Sequence, residues 1–214
     1  LRAAIAMLGE NLRGVALSAA SAALPVSPWL PGGLVQATAI SAVQQALLEL
    51  IADALQQPWH APLGPLQRNP VGAYANINRA TTDRRPEGFA NTARRAAAQG
   101  YTAFKAAPFD GVTPANCASA PSRQRIQHGI DCLAAMRDAV GPGARLMVDC
   151  HWRFDEARAL EVLAALSKLG LHWLECPLPE TPTHHAAIQR VHSAARDRGV
   201  LLAAAETQIG TAGF

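Results

Sequence analysis

Three apolar runs in this chain close on an acidic residue. "RLMVDCHWRF" passes through Asp149, "LHWLECPLPE" through Glu175 and "VLLAAAETQIG" through Glu206. Carboxylates gathered at one site repel, and exclusion of water worsens the repulsion unless a cation compensates. Three carboxylate oxygens on a rigid face, with coordination positions left open, suit a hard divalent ion such as Mg2+. Zinc would favour thiolates, and Cys150 and Cys176 each directly follow a proposed ligand. Alternation along a strand turns both away from the ligand face, as buried packing residues. A single acidic residue after a strand commonly caps the next helix; three at matching positions ask for a shared cause. Lys105, one of only two lysines, closes another apolar run and could neutralise a bound carboxylate or tune a neighbouring group. The bland alternative is a solvated lysine near a loop. His151 lies two residues beyond Asp149 and should share its side of the strand. Its imidazole can gain or lose a proton near neutral pH, as an acid, or it can simply bond the Asp149 carboxylate. Arg153 either contacts substrate or pairs on the rim of the site. His184, His185 and His192 read as the solvated face of a helix, and His128 likewise.

The elements that must carry these groups alternate strand and helix. Strands are expected over 71–77, 101–106, 145–148, 172–174 and 200–205, and helices over 86–99, 123–140 and 155–169. A further helix should run from "PETPTHH" to about residue 198. Strands joined by connections of crossover length imply a parallel sheet. A doubly wound open sheet and a (β/α)8 barrel both fit, and both place functional groups at the carboxyl ends of strands. Only the barrel lines successive strand ends around one mouth, so three carboxylates from successive strands favour it. The fold class expected is α/β, a partial (β/α)8-type, modified TIM barrel. Five strands are read where eight are needed, so the chain reads as a fragment. Ahead of it, "ISAVQQALLELIADALQQ" places Ile40, Val43, Ala46, Leu47, Leu50, Ile51 and Leu55 on one helical face. "HAPLGPLQRNP" is a connector, dividing residues 1–68 from 69–214, and "SPWLPGG" is a loop.

The 214 residues are 50% hydrophobic and 16% charged, enough to bury a substantial core. A formal charge of +3 without a basic stripe speaks against a nucleic-acid partner. Four cysteines without a CxxC pair fit a reducing cytoplasm. The run 15–25 is short for a membrane span, and longer apolar stretches are interrupted by polar residues, so no membrane partner is expected.

"VDCHWRFD", "HWLECPLPE" and "AAAETQIGTAGF" resemble the three metal-ligand segments of the enolase superfamily, in its mandelate racemase/muconate lactonizing subgroup. "LLELIADALQQPWHAPLG" is similar to the end of that subgroup's capping domain, and "VGAYANIN" and "GYTAFKAAPFDG" to its first two barrel strands. The resemblance implies an α+β cap, of which residues 1–68 form the helical end, over a modified (β/α)7β barrel. It implies Mg2+ held by Asp149, Glu175 and Glu206, and abstraction of the proton beside a substrate carboxylate through an ene-diolate. Lys105 matches the first lysine of the family's Lys-x-Lys, but Ala107 stands where the second, the base, belongs. Asp149, His151 and Arg153 resemble the Asp-x-His-x-Arg segment of mannonate-dehydratase-like members. The expected activity is therefore that of a metal-dependent lyase dehydrating an acid sugar, with His151 a candidate acid and the full-length parent a homo-oligomer. A racemase or cycloisomerase is the alternative, and so is a catalytically inactive truncated fragment.

Overall fold

The computed structural model describes residues 1–17, 33–61, 64–65 and 70–208. The expected loop near residue 30, most of the run 15–25 and much of the connector 60–70 lie outside them. The chain divides into two compact units, Leu1–Val71 with Thr207–Phe214, and Gly72–Glu206.

In the first unit α1 (Arg2–Leu12) packs on α2 (Gly33–Ala54). Of the expected apolar face, Ile40 and Ile51 are buried and Val43 and Leu47 half-buried, whereas Ala46, Leu50 and Leu55 are exposed. The stripe that is covered is narrower than the apolar arc, because a single short helix can shield only the residues directly beneath it. By length and hydropathy α2 also passes as a membrane span. A mostly buried core helix of a soluble protein passes the same test, but few residues of α2 are buried; it carries Glu49 and Asp53.

The second unit is one parallel sheet. Its strands are β1 (Ala75–Asn76), β2 (Ala103–Ala106), β3 (Arg145–Asp149), β4 (Leu171–Glu175) and β5 (Leu201–Ala203). They lie side by side in chain order. That order decides between the two architectures weighed from sequence. A doubly wound sheet reverses its strand order at a switch point, whereas a barrel adds each strand beside the last. Between the strands run α3 (Pro86–Ala98), α4 (Ala120–Val140), α5 (Glu156–Ser167) and α6 (His185–Arg196).

One face of the sheet meets these helices. Phe104, Ala106, Leu146, Val148 and Leu174 share a core with Phe89 of α3, Leu133 and Met136 of α4, Leu163 and Leu166 of α5, and Val191 of α6. By strand alternation the opposite face carries Lys105, Met147 with Asp149, and Trp173 with Glu175. The register pairs Lys105 with Met147, Met147 with Trp173, and Asp149 with Glu175. Polar residues of β2, β3 and β4 therefore stand in a row at the carboxyl ends.

Local chemistry fixes the helix starts. The Asp155 carboxylate accepts from the Arg158 N–H (2.8 Å), which makes Asp155 the cap of α5 rather than its first residue. Ser119 caps α4 through the Ser122 N–H, with Pro121 in the first turn, so that helix begins ahead of the expected 123. The expected helix after "PETP" opens with a 3-10 turn, Pro182–His184.

Candidate metal centre

Asp149 is the last residue of β3 and Glu175 the last of β4, opposite each other in the ladder. Glu206 follows β5 in a turn. One oxygen from each of the three lies within 4.8 Å of the others. Asp149 is buried, Glu175 half-buried and Glu206 exposed, so the group opens toward solvent on the Glu206 side.

Lys105 supplies the local positive charge. Its buried ammonium donates to both oxygens of Glu175, at 2.7 and 2.8 Å, and lies 3.7 Å from Asp149 Oδ2. Burial by itself would pull this ammonium's pKa down and is the largest single influence on it. The Glu175 hydrogen bonds and charge, with Tyr74 and Asp149 adding to them, outweigh burial and hold it above the ordinary lysine value. Trp173 Nε1 donates to Glu175 Oε2 (3.1 Å), and Tyr74 sits edge-on to Trp173 with its ring beside the ammonium.

His151 meets Asp149 twice. Its backbone N–H donates to Oδ1 (3.0 Å), and its Nε2 lies 3.2 Å from Oδ2. Strand alternation does not put it there: the strand ends at Asp149, and His151 (φ 49°) and Trp152 (φ 56°) form a left-handed turn that folds the imidazole back. Arg153 donates to the Phe109 carbonyl (2.7 Å), with Asp110 at 3.9 Å, and so pairs with the loop after β2.

Cys150 is fully buried in the core against the helices, and burial pushes its thiol well up. Cys176 departs from the expectation that it faces away with Cys150. Its φ of 44° breaks the strand, and its Sγ donates to Glu180 Oε1 (3.3 Å) and lies 4.0 Å from Glu206 Oε2. His185 and His192 are exposed, and His184 bonds Thr181, so the three form no cluster. His128 bonds the Arg84 carbonyl oxygen from the α4 surface (2.9 Å).

Sequence reading passed over Arg84. Its guanidinium reaches Asp110 and the Asn78 and Ala107 carbonyl oxygens, and it stacks on Phe89. It ties the loop after β1 to the loop after β2. Ala107 itself is buried, and its N–H donates to Asn78 Oδ1 (3.3 Å).

Residues 88–214 match the family model described as enolase C-terminal domain-like. The chain belongs to the enolase superfamily. Its match to D-gluconate dehydratase of Thermoproteus tenax is 32% identical over 153 residues, 72% of this chain and 29% of that protein. To D-gluconate/D-galactonate dehydratase of Picrophilus torridus it is 30% identical, over 66% of this chain and 34% of the other. The chain thus spans well under half the length of the curated relatives it matches. A mandelate racemase/muconate lactonizing protein of Paracoccus denitrificans superposes with a TM-score of 0.67 at 25% identity, over 85% of this chain and 46% of that one. In this enolase-superfamily member the donor set fits Mg2+: three carboxylates converge beside an ammonium that already compensates part of their charge.

Proposed function

We propose that this chain carries the Mg2+-binding end of an acid-sugar dehydratase. The observation that carries the reading is the convergence of Asp149 and Glu175, at the ends of β3 and β4, with Glu206 from the turn after β5. Similarity to two named sugar-acid dehydratases supports the choice of substrate class. Asp149, Glu175 and Glu206 would hold the ion, which would offset the negative charge that builds on a substrate carboxylate as its neighbouring proton leaves. Lys105 faces the same charge from β2 and adds electrostatic stabilisation without itself moving a proton. His151, against Asp149 and partly open to solvent, would give a proton to a departing hydroxide. Arg153 holds the loop after β2 through the Phe109 carbonyl, and its remaining guanidinium N–H groups would contact substrate.

Asp149→Asn removes a ligand charge while keeping the shape. Titration calorimetry with MgCl2 on the full-length protein should show binding lost; unchanged affinity would overturn the ligand set. Incubation with sugar acids should yield a keto product by loss of water. Epimerised acid without dehydration would instead support a racemase.

Ala107 favours a second reading. With no lysine at that position, β2 offers Lys105 but no base beside it, and the chain would bind the ion without turning over substrate unless the base comes from elsewhere. A full-length protein that takes up Mg2+ yet leaves every acid sugar unchanged would support this.

A further inference from the structure

Asp149 and Glu175 are aimed by the sheet itself, since each ends a paired strand. Glu206 is not, because β5 ends at Ala203. Something else must turn Glu206 back toward the other two. The residue before it, Ala205, has φ 72°, a left-handed conformation that a side chain with a Cβ seldom adopts and that persists only when its surroundings enforce it. Among the described residues, one carboxylate meets its backbone. Glu180 Oε2 accepts the Ala205 N–H (3.0 Å), and Glu180 Oε1 accepts from the Cys176 thiol (3.3 Å). Cys176 is itself left-handed, and its own N–H donates to the Ala203 carbonyl (2.9 Å). One acidic side chain from the loop after β4 therefore bridges the two strained residues that follow β4 and β5.

We propose that Glu180 is a positioning residue that fixes the third carboxylate, Glu206, by holding Ala205 left-handed. The inference rests on the metal reading above. Without the bridge Ala205 relaxes toward ordinary φ, the following peptide rotates, and Glu206 swings into solvent. Residues that orient ligands in this way typically change metal affinity by about 10- to 100-fold.

The test uses the full-length protein with Glu180→Ala, Glu180→Gln, and Glu180→Ala combined with Ala205→Gly. The readouts are Mg2+ affinity by calorimetry and hydrogen exchange of the Ala205 amide. Glu180→Ala should weaken Mg2+ binding by about tenfold or more and speed the Ala205 exchange. Glu180→Gln keeps an oxygen for the Ala205 N–H and should retain most of the affinity. Glycine adopts a left-handed φ without strain, so Ala205→Gly should recover part of the affinity lost in Glu180→Ala. A purely structural role for Glu180 would not give that recovery. Wild-type affinity together with unchanged Ala205 exchange in Glu180→Ala overturns the proposal. Should Glu180→Ala fail to fold, Glu180→Gln carries the test: a collapse of Mg2+ binding there, with the Ala205 amide still protected, also overturns it. If the wild-type protein takes up no Mg2+, the metal reading falls, and the Ala205 exchange rate decides whether the tether exists.

Discussion

At the scale of single residues, the centre is a balance of charges that Lys105 holds in place. Replacing it with methionine keeps much of the stem and leaves Glu175 and Asp149 facing each other without compensation. Removing one partner of a buried pair costs about 3–5 kcal/mol. The metal-free melting temperature of Lys105→Met should therefore fall, and the rise on adding Mg2+ should exceed that of the wild type. An equal rise in both would separate the lysine from the ion. The pH dependence has a definite sign. A lysine held above its unfolded value of about 10.4 contributes its stability below that pH and loses it as pH climbs through the folded value. The stability gap between wild type and Lys105→Met should thus be constant at neutral pH and close under alkaline conditions. The thiols give a second readout. All four cysteines are free and buried, and burial raises the thiols of Cys132, Cys150 and Cys176. Alkylation of the native protein at neutral pH should be slow against that of the denatured chain, and rapid native labelling of Cys150 would contradict its place in the core. The convergence of Asp149, Glu175 and Glu206 was legible because each interrupts an apolar run and local contrast survives in one dimension. Arg84, Trp173 and Glu180 were not, since Arg84 meets Ala107, Trp173 meets the Tyr74 ring and Glu180 meets Ala205 only once the sheet has folded.

At the scale of elements, the sequence located β2 to β5 and the four helices between strands, because alternating apolar runs and glycine stops mark them directly. It overextended β1. Residues 71–77 look like a strand, yet the ladder holds only Ala75 and Asn76, opposite Phe104 and Lys105, with one more bond from the Ile77 N–H to the Lys105 carbonyl (3.0 Å), and Val71 is exposed. Apolar pattern reports a tendency, whereas a strand needs a neighbour. Close packing was equally hidden. Gly129 lies in α4 where a Cβ would stand 2.5 Å from the Phe109 ring and 3.2 Å from the Pro108 carbonyl oxygen. Alanine there gains about 1 kcal/mol of helix propensity. Forcing an added group into a packed core typically costs about 1–3 kcal/mol. Phe109 is also held by Phe154, and its carbonyl by Arg153, so it has little freedom to yield. Gly129→Ala should be net destabilising in a urea melt, by up to about 2 kcal/mol. A stabilised variant would show that Phe109 can move aside.

At the scale of the whole molecule, the candidate metal centre belongs to one of two compact units. Asp149, Glu175 and Glu206 all fall within Gly72–Glu206, as do Lys105 and Glu180, whereas α1 and α2 belong to the other unit. A ligand stabilises the part of a protein whose folding creates its site, and an ion at one hundred times its dissociation constant adds about 2.7 kcal/mol. In amides that exchange only when that part opens, this slows exchange by about 100-fold. Hydrogen exchange followed by mass spectrometry, with and without Mg2+, should therefore show the strongest slowing in peptides covering β3, β4, β5 and the loops that follow them. Peptides from α1 and α2 should change little. The three carboxylates would hold the ion from the ends of strands, and the turn after one, whose helices share one core, so protection should spread through α4, α5 and α6 as well. Slowing confined to the loops would mean that the ion orders only the mouth of the sheet. Equal slowing in α1 and α2 would overturn the placement of the ion in the sheet unit alone, and would make the two units one cooperative block under these conditions.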